Sequence, residues 1–167
     1  FSMMDILQIY NVSRETKEKI EAYKTLVLEW NCKFNLISKS SVEHIWERHI
    51  LDSVQLYKYI RPTDKILLDL GSGAGFPGMV LAIMAEQLNP ELSINLVESI
   101  GKKTLFLNAV KNELKLNVNI LHDRIENIKM KNVDVITSRA LAALSKLLDY
   151  SKPFCRTETN LIFPKGE

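Results

Sequence analysis

One stretch constrains this chain more than any other: Ile66-Leu67-Leu68-Asp69-Leu70-Gly71-Ser72-Gly73-Ala74-Gly75-Phe76-Pro77-Gly78. Its first five residues are apolar except for Asp69, the pattern of a strand buried on both faces of a parallel sheet. Three glycines at alternate positions then let the backbone turn sharply and approach a ligand where a Cβ would collide. Pro77 pre-sets φ for a first helical turn and lacks an N–H that would be unsatisfied there. Met79-Val80-Leu81-Ala82-Ile83-Met84-Ala85 continues apolar nearly all round, which predicts a deeply packed helix. Strand, glycine loop and buried helix in this order open a nucleotide-type α/β site.

The loop admits more than one ligand. The dinucleotide fingerprint G-x-G-x-x-G needs its third glycine where Phe76 stands. The pattern here is G-x-G-x-G, with a carboxylate, Asp69, two residues ahead of it. A diphosphate wants bare N–H groups and no nearby anion. A ligand carrying an ammonium wants an acid at the strand end, where opposite charges attract strongly in a partly desolvated crevice. S-adenosylmethionine, with its amino-acid tail and sulfonium, fits the second description. Asp69, Gly71, Gly73 and Gly75 are therefore candidate cofactor contacts, and a tight turn with no ligand is the structural alternative.

At 167 residues the chain is about one domain, large enough to bury a core. Apolar residues make up 46% and charged residues 25%, ordinary for a soluble globular protein. The longest apolar run, Met79 to Ala85, falls far short of the ~20 residues that span a bilayer. Nothing at the start resembles a signal peptide, and Phe1-Ser2 reads as added ahead of Met3. Cys32 and Cys155 lie far apart with no CxxC spacing, as expected of reduced thiols in a cytoplasmic protein. His44, His49 and His122 are scattered, so no metal site is expected. A net charge of +2 permits an RNA partner without demanding one.

Ahead of the glycine stretch the chain reads as helical. Ser13 is a plausible N-cap, and Ile20, Tyr23, Val27, Trp30 and Phe34 then recur at three- and four-residue spacing. Core packing against the next helices is the expected role of those aromatics. Asn35-Leu36-Ile37-Ser38 breaks the pattern, and Ser40 or Ser41 can cap a second helix. That helix carries His44, Trp46, Arg48, His49 and Asp52 and stops at Arg61, ahead of Pro62.

Behind the glycine stretch, strands and helices alternate. Ile94 to Val97 is a strand with Glu98 at its carboxyl end, where open parallel sheets hold their ligands. Glu98 stands somewhat beyond the ~20 residues usual for an acid that binds ribose hydroxyls; its alternative is a solvated surface glutamate. Leu105, Phe106, Ala109, Val110 and Leu114 draw the inner face of a helix. Val118 to Leu121 and Val133 to Thr137 are further strands, the latter ending at Ser138-Arg139. A helix through Leu141, Leu144, Leu147 and Leu148 leads to a last strand over Asn160 to Pro164. The expected fold class is α/β, a doubly wound, mostly parallel sheet.

Several runs together carry a specific resemblance. Asn35-Leu36-Ile37-Ser38, Arg48-His49-Ile50-Leu51-Asp52-Ser53, the loop ending Gly75-Phe76-Pro77-Gly78, Ser138-Arg139-Ala140 and Lys165-Gly166 occur in this order at suitable spacing. The chain resembles the RsmG family, also called glucose-inhibited division protein B, from about its first helix to its last residues. The resemblance implies a Rossmann-like class I methyltransferase domain over residues 63–167, with residues 1–62 as a helical extension packed on it. It implies a bacterial enzyme that methylates N7 of a guanosine in small-subunit (16S) ribosomal RNA, using S-adenosylmethionine. Family members continue for several dozen residues past the Lys-Gly step, so the expectation is a domain lacking its final antiparallel hairpin.

The same resemblance sets the cofactor against Gly71 and Phe76, with Ile125 and Glu126 beside the adenine and Glu98 on the ribose. Arg139 falls at the mouth where methionine tail and substrate meet, and Lys165 joins it as a second candidate catalytic residue. Arg48, His49 and Arg124 are candidates for phosphate or guanine contact, and Lys33 and Lys39 for RNA association. Guanine N7 carries a lone pair and no proton, so no strong base is required; a monomer is expected. Two other functions stay open on sequence grounds. One is a methyltransferase for a small molecule or protein on the same fold; the other is a non-catalytic RNA-binding module that keeps a cofactor pocket.

Overall fold

The computed structural model describes residues 3–139 and 142–164. Five strands, β1 (Ile66–Leu70), β2 (Ser93–Glu98), β3 (Asn119–His122), β4 (Val133–Thr137) and β5 (Cys155–Ile162), form one sheet. All pairings are parallel, in the order β3-β2-β1-β4-β5. Chain order runs outward from β1 in one direction and from β4 in the other, so the switch point lies between β1 and β4. In open sheets, ligands bind at the carboxyl ends beside such a point.

Alternation along β1 assigns the two faces. Leu67 joins the larger core with α5 (Gly78–Leu88) and α6 (Gly101–Leu114); Leu68 and Leu70 join a smaller core on the other face with Val97, Ile136 and Phe154. Residues Met79 to Ala85 of α5 are all buried, as an all-apolar helix requires. On the smaller side lies α7 (Leu144–Ser151), of which Leu147 is buried while Leu144 and Leu148 are exposed. The expected inner face of α6 is corrected. Leu105 of α6 is also exposed, and Thr104 and Leu107 turn inward instead, because the helix is rotated about its axis relative to the leucine pattern.

The region before β1 comprises α1 (Met3–Ile9), α2 (Arg14–Phe34), α3 (Lys39–Glu43), a π-wound helix (Ile45–Leu51), α4 (Asp52–Gln55) and a 3₁₀ turn (Leu56–Tyr59). Ser13 caps α2 by accepting the Thr16 N–H, and Asn35 closes it in the left-handed region. The cap of α3 is Ser38, which accepts the Ser41 N–H; Ser40 and Ser41 lie one turn further on than a cap should. Ile20, Tyr23 and Val27 are fully buried in the same core as Ile50, Val54, Ile83 and Phe106. No hydrophobic gap divides the helices from the sheet.

The strand expected at residues 160–164 begins earlier, at Cys155, and bulges against β4 between Val133 and Val135. Its first half carries Arg156 and Glu158, whose polarity hides it from a hydrophobic reading. Arg156 instead answers Asp134, which also accepts the N–H groups of Lys65 and Ile66. That carboxyl is held below its usual range by these hydrogen bonds, against the opposing effect of burial.

Candidate active site

The glycine loop is fixed from beneath and from above. Beneath it, Asp69 is fully buried and accepts hydrogen bonds from Ser72 Oγ and Thr137 Oγ1, each at 2.7 Å. Burial pushes its carboxyl up to about 6, although the Ser72 and Thr137 hydroxyls and the Gly78 N–H all oppose that shift. A Cβ on Gly78 would collide with this carboxylate, which explains the glycine there. From above, Tyr23 Oη of α2 donates to Ala74 O at 2.5 Å. Burial raises that phenol well above its ordinary range. The Phe76 ring packs between Tyr23, at 5.5 Å between centroids, and His49, stacked at 4.8 Å.

Two of the three glycines serve different ends. A Cβ on Gly75 would meet Met79 Cβ at 2.6 Å and Tyr23 Oη at 2.8 Å, so its bareness lets the loop pack inward. A Cβ on Gly73 would meet only Gly71 O, at 4.0 Å, and leave its other side open. Gly73 has φ +56°, a conformation that side chains rarely adopt.

Over the carboxyl ends of β1, β2 and β3 lies a cleft of about 390 Å³. Gly71, Glu98, Ile125 and Glu126, four of the candidate cofactor contacts, line it. Arg124, a candidate for phosphate or guanine contact, lines it too. Glu98 is nearly buried, and its carboxylate accepts the Gly73 N–H at 2.7 Å and the Ile100 N–H at 2.9 Å. One oxygen serves each bond, which leaves each a further lone pair for a ligand hydroxyl. A buried acid beside an open glycine backbone, with apolar Ile125 and Val97 nearby, fits an adenosine-type ligand.

Asp69, Phe76 and Gly75 do not line this cleft; they brace the loop that does. The inference that Asp69 attracts an ammonium is corrected accordingly: its oxygens face α5 and Thr137, because residue 69 alternates onto the face of Leu67. The sequence reading missed Ser99, Lys103, Asp123, Lys146 and Tyr150, which complete the walls. A positional signal was available for Ser99 and Asp123, each of which lies just past a strand end.

Arg139 follows β4 and occupies a second, adjacent cleft. Its Nη2 donates to Arg48 O at 2.8 Å and lies 3.8 Å from Asp52 Oδ2. The Asp52 N–H donates to His49 O, one residue short of the Arg48 carbonyl that an α-helix would use. Arg48, Lys33 and Lys39 are exposed on the helical extension, and Lys165 lies outside the described residues. Among the described residues, no group of His, Cys, Asp and Glu is placed to hold a metal ion, and no helix is long and apolar enough to cross a membrane.

A switch-point cleft of this construction, on a sheet of this order, belongs to the class I methyltransferase fold. Coclaurine N-methyltransferase, solved with N-methylheliamine and SAH, superposes with a TM-score of 0.56 at 19% identity, over 68% of this chain and 34% of that one. TYW2 of M. jannaschii, solved with AdoMet, gives 0.55 at 18% identity, over 66% of this chain and 49% of that one. This chain therefore spans between a third and a half of those two structures, and the likeness is one of fold.

The family model described as rRNA small subunit methyltransferase G matches residues 16–167, and the chain belongs to that family, GidB. A relative from Cereibacter sphaeroides named Ribosomal RNA small subunit methyltransferase G is 45% identical over 161 residues, covering 96% of this chain and 78% of the relative. A protein of the same name from Orientia tsutsugamushi is 44% identical over 164 residues, covering 98% and 79%.

Proposed function

We propose that this chain transfers the methyl group of S-adenosylmethionine to N7 of a guanosine in the 16S RNA of the bacterial small ribosomal subunit. The observation that carries the proposal is the cleft over β1 to β3, lined by Gly71 and by the buried Glu98, whose carboxylate accepts the Gly73 N–H, in a chain of this family. Bound there, the cofactor supplies an electrophilic methyl group on a sulfonium. Everything else is positioning by the chain itself.

Glu98 accepts the ribose hydroxyls, and Ile125 and Glu126 flank the adenine. Gly71 and Gly73 let the backbone approach closely. Arg139, held between Arg48 O and Asp52, stands at the mouth beside the switch point. Guanine N7 has an in-plane lone pair and no proton, so no residue needs to act as a base before attack. Orientation of two reactants can supply effective molarities of ~10⁵ M or more. That suits a site whose walls are braced from both sides. Asp69 takes no part in transfer and acts as the buried anchor of the loop. Residues 1–62 form the helical extension and residues 63–167 the catalytic domain, working as one chain in the cytoplasm, where ribosomes assemble. Exposed Lys33, Lys39 and Arg48 offer phosphate contacts on the extension.

The test is methyl transfer from labelled S-adenosylmethionine to naked 16S RNA, isolated small subunits and a protein extract. Label is expected in the RNA, at a guanosine whose backbone becomes cleavable by reduction and aniline, the signature of N7 methylation. Label confined to protein or small molecules overturns the substrate, and tight binding of NAD in place of S-adenosylmethionine overturns the cofactor.

A further inference from the structure

The second cleft holds about 220 Å³ and is lined by Asp52, Lys58, Tyr59, Pro77, Arg139 and Pro164. Its walls come from the extension, the glycine loop and the carboxyl ends of β4 and β5. Three of its groups suit a planar ring that must be recognised on one edge. Tyr59 is 48% exposed and offers an aromatic ring of the kind on which bases stack, and Lys58 Nζ lies over that ring, 5.1 Å from its centroid. The Asp52 side chain is 56% exposed, so its carboxylate is open to a ligand. Arg139, only 13% exposed, sits 3.8 Å from one Asp52 oxygen and holds that side chain by charge.

A carboxylate is an acceptor with two oxygens in one plane, suited to two adjacent donors. Among the four RNA bases, only guanine places a ring N–H next to an exocyclic NH₂ on its Watson–Crick edge. Adenine and cytosine put an unprotonated ring nitrogen there, and uracil sets its N–H between two carbonyls. Each of those edges would meet Asp52 with at least one repulsive acceptor. Holding guanine by N1–H and N2–H₂ also leaves N7, on the far side of the ring, uncovered.

We infer that Asp52 is the residue that selects guanine. Its carboxylate accepts N1–H and N2–H₂ of a base stacked on Tyr59, and Arg139 orients the carboxylate. This deepens the proposed N7 methylation and rests on it.

Wild type and Asp52→Asn are compared in single-turnover transfer on two 16S transcripts. One carries guanosine and the other inosine at the nucleotide that wild type modifies; inosine keeps N7 and N1–H but lacks the N2 amino group. Wild type is expected to favour guanosine by about tenfold to a hundredfold, the value of one hydrogen bond to a charged acceptor. Asp52→Asn, which turns an amide N–H toward one donor, is expected to slow guanosine transfer by at least as much and to bring the guanosine-to-inosine ratio near one. Its affinity for S-adenosylhomocysteine should match wild type.

If Asp52 served only to hold Arg139, the variant would slow both transcripts equally and keep the wild-type ratio, which overturns the assignment. Equal wild-type rates on the two transcripts overturn it without any variant, so a misfolded variant does not shield it. Absence of transfer to 16S RNA by wild type is a separate outcome: it removes the N7 reading itself, and the assignment of Asp52 falls with it.

Discussion

The cleft over β1 to β3 takes its walls from segments that each follow a strand, whereas the cleft beside β4 and β5 borrows Asp52, Lys58 and Tyr59 from the helical extension. In the first, the sheet alone sets the geometry, and Asp69, Ser72 and Thr137 lock its loop from within. In the second, geometry depends on how the extension docks, and Arg139 ties the two parts together through Arg48 O and Asp52. One cleft can therefore be damaged without the other. The extension still touches the glycine loop beneath the first cleft, where Tyr23 bonds Ala74 O and Tyr23 and His49 pack on Phe76.

The largest effect tests that independence from the cofactor side. Gly73→Val puts a branched side chain at a positive φ, which strains the backbone by ~1–3 kcal/mol, and fills the open side of the loop. Calorimetry should show affinity for S-adenosylhomocysteine lowered more than about 100-fold, with RNA affinity and far-ultraviolet circular dichroism unchanged. Unchanged cofactor affinity would mean that the loop is only a turn.

Arg139→Ala attacks from the other side. Single-turnover transfer should fall about 100-fold, the scale of a small misplacement of reactants, while cofactor affinity stays as in wild type. Arg139→Lys should recover part of the rate, because an ammonium cannot reproduce the planar fork. Loss of cofactor affinity in the alanine variant would make the two clefts one unit and break the comparison.

Glu98→Ala should weaken cofactor binding by ~1–3 kcal/mol, because the ligand then has no charged acceptor for its hydroxyls. Since Glu98 also accepts the Gly73 N–H, Glu98→Gln, which keeps an acceptor oxygen, should lose less. A calorimetric change near zero in both variants would leave Glu98 as a brace of the loop alone.

Asp69 predicts an unusual pH dependence. Its folded value of about 6 lies above the ordinary 3.8, so between those values the folded state binds more protons than the unfolded state. Stability from this group therefore falls as pH rises from about 4 to about 6, by at most about 1.4 kcal/mol per pH unit. Denaturant titrations of wild type and Asp69→Asn should differ by that slope within the window and run parallel above it. Parallel curves throughout would mean that the carboxyl is not held protonated.

The smallest effect belongs to the extension. Neutralising Lys33, Lys39 or Arg48 should reduce the salt dependence of RNA binding by up to about one unit of log–log slope for each phosphate that is no longer neutralised. Cofactor binding should not change. Wild-type salt dependence in all three variants would place the RNA surface elsewhere.

Much of the first cleft was legible before folding. Gly71 follows β1 and Glu98 ends β2, strands whose apolar runs are unmistakable, and parallel sheets bring carboxyl ends together whatever the connecting helices contain; Ile125 and Glu126 came from the family resemblance alone. Asp69 was legible as a polar interruption but not as an anchor. Which way a strand residue points depends on which face the neighbouring helix covers. Leu105, Leu144 and Leu148 look like core residues in a linear pattern and are exposed, because helix rotation is set by packing against the sheet and not by periodicity alone. The first half of β5 was hidden since Arg156 answers a charge on β4 that is distant in sequence.

By itself the sequence determined the class of fold and the glycine loop, because strand–loop–helix order is local and short-range sterics enforce it. Only the tertiary structure decided that Tyr23 and His49 cover that loop and that Asp52 and Tyr59 face Arg139 across a cleft. Those partners are far apart along the chain. Their meeting depends on the Arg139 hydrogen bond to Arg48 O and on how a shared core seats the extension against the sheet.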